Sequence, residues 1–146
     1  MSAPLNLWLV WAAGLSAVAG LLHLGIIVGG APWYRYFGAG EDMARMAQAG
    51  SWYPALITAG IASVLFLWSA YALAGAGWPL AQGVFAWQRP VLGLITAVYL
   101  LRGLAIVPWL LFKPALVSPF MLWSSVICCG FGLIHLQGVL QVWSRL

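Results

Sequence analysis

The chain reads as an all-α integral membrane protein, an antiparallel four-helix bundle with a short interfacial helix between its first two spans. Two observations predict this. Of 146 residues, 64% are hydrophobic and only 5% are charged, against about 25% charged in soluble domains. The apolar residues also gather into four stretches, each near the roughly 20 residues a helix needs to cross about 30 Å of hydrocarbon. Mean hydropathy is +1.00, and a single transmembrane domain, residues 1–146, uses the whole length.

The first span is expected at about residues 7–29. Gly29-Gly30 and Ala31-Pro32 mark its end, because glycine and proline continue a helix poorly. The preceding residues, Met1 to Asn6, carry no basic n-region, and no A-x-A-like site closes the first apolar run, so this helix is expected to stay in the mature protein. Trp33, Tyr34, Tyr36 and Phe37 around Arg35 have the composition of a headgroup-level belt. Glu41–Gln48 follows as a short surface helix, with acids in its first turn where the dipole favours them and Arg45 four residues after Glu41. On this helix Met43, Met46 and Ala47 should pack inward while Glu41 and Arg45 face water.

Tyr53-Pro54 opens the second span, about residues 53–74, since proline is tolerated in a first helical turn. Gly75-Ala76-Gly77 and Trp78-Pro79 form the next turn. The third span, about 91–112, starts after Arg89-Pro90 and should kink near Pro108, which lacks an amide donor. The fourth, about 120–142, follows Lys113-Pro114 and Ser118-Pro119 and ends in the interface anchor Trp143-Ser144-Arg145. Trp8, Trp11, Trp33, Trp52, Trp78, Trp109, Trp123 and Trp143 fall near the predicted membrane surfaces, as an aromatic belt does. Basic residues are balanced between the two sides, so loop charge does not set the orientation.

Six Lys and Arg against two acids give a net charge of +4, but the basic residues are scattered singly. That excludes the basic cluster nucleic acid requires. Adjacent Cys128 and Cys129 point about 100° apart on a helix and read as packed thiols. There is no C-x-x-C, no Gly-rich phosphate loop, no H-E-x-x-H and no nucleophile elbow.

What remains are polar residues inside the spans, where an ionisable side chain is a functional-site candidate by default. Arg102 is the sharpest, lying near the middle of the third span, where arginine costs about 2.5 to 3.5 kcal/mol on insertion scales. Thr96, Tyr99, Arg102 and Gly103 lie on one broad helical face, which predicts an inward-facing guanidinium. It would either pin backbone carbonyls, including that of Leu104 freed by Pro108, or hold an anion. Such an anion could be a substrate carboxylate, a lipid phosphate, or Glu41 or Asp42 folded inward. A local Glu41–Arg45 pair competes with the last option.

His23 follows Gly20, Ser16 and Ala12 along a small-residue stripe, and His135 completes a second stripe with Ser125, Cys128 and Gly132. Both histidines should therefore see protein. Their depths differ by roughly 13 Å at 1.5 Å per residue, too far to ligate one haem iron, so no haem is expected. No metal is expected either, because ligand pairs at i, i+3 or i, i+4 are missing.

The first helix, the loop Tyr34-Arg35-Tyr36-Phe37-Gly38 with Gly40-Glu41, and three further helices with Arg102-Gly103 in the third resemble the DoxX-like small bacterial membrane proteins. The resemblance implies a compact four-helix bundle in a bacterial cytoplasmic membrane, in some members a subunit or helper of a redox or assembly system. The leading functional expectation is a non-catalytic bundle without cofactor. It would bind a membrane lipid, another hydrophobic or amphipathic molecule, or a partner membrane protein or second copy. His23, Glu41, Tyr99, Arg102 and His135 are the candidate ligand-binding residues. The alternative is a small enzyme acting on a lipid, isoprenoid or quinone, with His23 or His135 as acid or base and Arg102 stabilising negative charge. A proton or ion pathway is a third reading.

Overall fold

A computed structural model describes residues 4–81 and 85–146; the first three residues of the stretch read for a signal n-region lie outside them. The described residues form six helices, α1 (Leu7–Tyr36), α2 (Glu41–Gln48), α3 (Tyr53–Ala76), α4 (Gln88–Leu104), α5 (Ile106–Phe112) and α6 (Pro119–Val142), with short 3₁₀ turns at Pro79–Ala81, Pro114–Leu116 and Trp143–Arg145 and no strand among them. Among the described residues, four segments are long and apolar enough to cross a membrane: Leu7–Tyr36, Tyr53–Ala76, Gln88–Phe112 and Pro119–Arg145. The chain is thus an all-α, multi-pass membrane protein. All eight belt tryptophans are exposed.

Two helix boundaries differ from expectation for identifiable reasons. The first helix does not stop at Gly29. It turns at Gly30, with φ 63° and ψ −149°, and resumes through Pro32 to Tyr36. That backbone region is essentially restricted to glycine, and the bend spares the ring of Pro32 a clash with the carbonyl of Val28. Trp33 folds back across the bend: a Cβ on Gly29 would lie 2.2 Å from its ring. Gly30→Ala should therefore lower stability by about 1–3 kcal/mol. Gly14→Ala, in open space on the same helix, should be neutral or stabilising by up to about 1 kcal/mol. Thermal unfolding of both variants in one detergent checks the pair, and equal melting temperatures would contradict the strain at Gly30.

The third span breaks at Ala105, between α4 and α5. Pro108 is the cause, because it offers no amide to the Leu104 carbonyl and its ring presses on that group. At the start of α6, Ser118 accepts a hydrogen bond from the Met121 amide at 3.2 Å and Pro119 occupies the first turn, the usual capping arrangement.

The chain divides into two compact units, one of residues up to Ser16 with those from Leu67 onward, the other Ala17–Phe66. Within the first unit, segments of all four spans pack as an antiparallel bundle. The Asn6 amide donates to the Ala76 carbonyl at 2.9 Å and Ser69 to the Ala13 carbonyl at 2.8 Å, which joins α1 to α3. Asn6 also donates to Gln141 at 2.8 Å, tying α1 to α6. Glycines allow the close approaches: Gly75 faces Leu92, Gly138 faces Leu9, and Gly132 faces Leu100.

In the second unit, Ile26, Tyr34 and Ala44 form a small core covered by Ala31, Phe37, Met43 and Ala47. Helix α2 thus buries Ala44 completely, with Met43, Met46 and Ala47 half-buried and Glu41 and Arg45 exposed. The Thr58 hydroxyl bridges the Tyr34 hydroxyl at 3.2 Å and the Pro54 carbonyl at 2.8 Å. Gly20 lets the Phe66 ring approach α1 to 3.0 Å of where a Cβ would stand.

Candidate functional site

Tyr99 is the centre of a polar and aromatic cluster inside the first unit. Its hydroxyl lies 3.0 Å from that of Ser16. Its ring meets Trp68 and Phe131 edge-on, at centroid distances of 5.1 and 5.5 Å, and lies 5.1 Å from the imidazole of His135. His135 is completely buried; of the others in its stripe, Ser125 and Gly132 are buried and Cys128 is half-buried. Its Nδ1 is 2.9 Å from the Phe131 carbonyl. A carbonyl can only accept, so in the neutral ring Nδ1 carries the proton and Nε2 is left as an acceptor. Among the described residues, that buried Nε2 meets no hydrogen-bond partner.

His23 uses the same backbone contact one turn back, Nδ1 to the Ala19 carbonyl at 2.7 Å, but it is half-buried and belongs to the second unit. Along its stripe Ala12, Ser16 and Gly20 are buried.

Arg102 departs from the inward placement its stripe suggested. Thr96, Tyr99 and Gly103 are buried, whereas Arg102 is exposed. Helical geometry explains this: Gly103 lies within about 20° of Thr96 around the axis, but Arg102 lies about 120° away, at the edge of the face. Its guanidinium crosses to α6 and donates to Ser125 Oγ at 3.3 Å and Ser124 Oγ at 3.1 Å.

The direction of that reach is informative. A Cβ on Gly103, the next residue, would touch Cys129 and the Ser125 carbonyl, so the Arg102 backbone stands no nearer the start of α6 than the turn between those two residues. Its head bonds the side chains of Ser124 and Ser125, up to about one turn nearer the start of α6. The arginine therefore snorkels from mid-span toward the end of the bundle that carries Lys113.

The acids lie elsewhere. Arg35 donates to both oxygens of Glu41 at 2.9 Å and also to Gln48 at 3.3 Å, and Arg45 pairs with Asp42. The expected Glu41–Arg45 pair is replaced because the turn after Tyr36 brings Arg35 onto the Glu41 carboxylate as a two-pronged fork. Those hydrogen bonds hold the Glu41 carboxyl below its ordinary value. Being exposed, such pairs contribute little to stability.

Of the five predicted site residues, the structure brings Tyr99 and His135 together and sets Arg102 apart on the outer face of α4. Glu41 is committed to a surface pair. Among the described residues, no three His, Cys, Asp or Glu are grouped as a metal site would need. Sequence reasoning missed Ser124 as the partner of Arg102. The signal was available in the register, since the midpoints of the third and fourth spans, Leu100 and Gly132, face one another, which carries Ser124 and Ser125 into range of an arginine reaching toward the Lys113 end.

No protein-family model, no curated protein and no solved structure matches this chain.

Proposed function

We propose that this chain is a non-catalytic membrane-embedded binding protein for an amphipathic molecule with an anionic head, seated by Arg102, Ser124 and Ser125. One observation carries the reading: Arg102 has no counter-charge within the chain. The sequence contains only two acids, and both are engaged by other arginines. A guanidinium still inside the hydrocarbon boundary and bonded only by two neutral hydroxyls gains by pairing with an anion. The partner is then supplied from outside.

The enzyme alternative needs a histidine and Arg102 at one ligand atom. Ser125, which marks the guanidinium on α6, and His135 are ten residues apart on one helix, about 15 Å, and His135 is enclosed by the bundle. A proton pathway would ordinarily use intramembrane acids, and both acids here sit in the α2 surface pairs. The DoxX-like resemblance and a bacterial cytoplasmic membrane are part of the same proposal, and they rest on the sequence motifs alone.

Native mass spectrometry of gently extracted protein tests the reading. The wild type should retain an anionic amphiphile, and Arg102→Leu should lose it. The variant should remain folded, since Arg102 is exposed and leucine is well tolerated on a lipid-facing helix surface. The same adduct on a folded Arg102→Leu protein would refute the proposal.

A further inference from the structure

We infer that the molecule seated at Arg102 is a phosphodiester lipid of net negative headgroup, drawn from the leaflet on the Lys113 side; this rests on the anion-seat reading above. Depth is the first argument. Gly132 is the midpoint of the span Pro119–Arg145 and packs on Leu100, the midpoint of Gln88–Phe112. Ser125 and Ser124 lie seven and eight residues from Gly132 toward the Lys113 end, about 10–12 Å. The hydrocarbon boundary stands about 15 Å from the bilayer centre. The guanidinium therefore waits only a few ångströms beneath the headgroup plane of that leaflet.

The donor inventory is the second argument. A guanidinium has five N–H donors, and the two serine bonds leave Nε–H and one N–H on each terminal nitrogen uncommitted. Two parallel donors match the two non-bridging oxygens of a phosphodiester in the fork geometry arginine favours. A phosphodiester also keeps its charge at this depth. A carboxylate drawn into the same apolar surroundings can shed its charge by taking a proton.

Headgroup charge follows from what the chain lacks. A choline or ethanolamine headgroup brings a cation, and both acids that could receive it are occupied on the α2 surface. Lys113, at the end of α5, adds a positive charge to the same side. Phosphatidylglycerol therefore suits the site better than phosphatidylcholine. Exposed Val98 and Ile127, about one turn toward the bilayer centre on the faces that carry Arg102 and Ser124, offer an apolar bed for its chains.

The test titrates the full chain in detergent with phosphatidylglycerol, phosphatidylcholine and oleate, read by native mass spectrometry. Wild type should hold phosphatidylglycerol about tenfold or more tighter than phosphatidylcholine, the scale of the repulsion between a choline cation and a nearby guanidinium in partly screened surroundings. Arg102→Gln should abolish that preference with its melting temperature little changed. If that variant fails to fold, Arg102→Lys decides: it keeps the charge but loses the fork, so its affinity for phosphatidylglycerol should fall, and an undiminished affinity counts against the proposal. Arg102-dependent binding of oleate without phosphatidylglycerol would overturn the phosphate assignment and leave the anion seat standing. Equal phosphatidylglycerol binding by wild type and a folded Arg102→Gln would overturn both. In vesicles, a phosphatidylglycerol carrying a headgroup photo-crosslinker should mark residues 112–126, and marking at residues 85–91 instead would contradict the leaflet.

Discussion

Gly103→Ala is expected to push α4 and α6 apart and to destabilise the protein by about 3 kcal/mol, the upper end of the usual range for overpacking. A Cβ at this position would stand 2.4 Å from Cys129 Sγ, 2.7 Å from the Cys129 amide nitrogen and 2.9 Å from the Ser125 carbonyl oxygen. The sulfur could rotate away. The other two atoms are backbone, so relief requires one helix to move against the other. In lipid, where apolar side chains gain little by leaving their surroundings, close backbone approach at small residues supplies much of the helix association. Separation at this point therefore removes a main contact and not a marginal one. It also draws Arg102, the preceding residue, away from Ser124 and Ser125, so lipid preference should fall together with stability. Gly93→Ala on the same helix meets nothing within 4 Å and should be neutral or stabilising by about 0.5–1 kcal/mol. If the two variants unfold at the same temperature in the same detergent, the close approach at Gly103 does not hold the bundle.

Much of the architecture was legible because membrane spans are specified by composition and length, which single residues seldom override. The inward stripe of α6 was legible for a related reason: Ser125, Gly132 and His135 recur at helical spacing, and spacing fixes direction. Arg102 shows where that logic stops. Its position around α4 is at the border of the buried face, and a long side chain there chooses its side by the partners within reach. Those partners belong to another helix and depend on inter-helix register. The same holds for Glu41, whose partner across the turn, Arg35, wins over Arg45 on its own helix. At Gly30 the local signals were read correctly as a break in the helix but not as a bend. Gly-Gly-Ala-Pro ends a helix or kinks it with the same residues, and the packing of Trp33 against Gly29 and of Tyr34 beside Ile26 and Ala44 is what carries α1 onward.

His135 should give opposite results with two apolar replacements. His135→Ala removes a completely buried ring from between α6 and the Tyr99 cluster, and the space left behind should destabilise the protein by about 2–5 kcal/mol, as for other large buried side chains. His135→Leu keeps most of the volume. It loses the Nδ1 bond to the Phe131 carbonyl, but that carbonyl still accepts the helical amide four residues on. It also removes Nε2, a buried acceptor without a partner among the described residues, whose lost hydration costs about 1–3 kcal/mol. The leucine variant should therefore unfold at or above the wild-type temperature while the alanine variant unfolds well below it. Its phosphatidylglycerol preference should be intact, because Ser125, which marks the Arg102 site on α6, is about 15 Å away along that helix. A leucine variant as unstable as the alanine one would mean that Nε2 is satisfied in the native protein by a polar group such as an enclosed water molecule. Loss of lipid preference in a stable leucine variant would instead join the buried histidine and the surface arginine into one site, and the separation argued from their positions on α6 would fail.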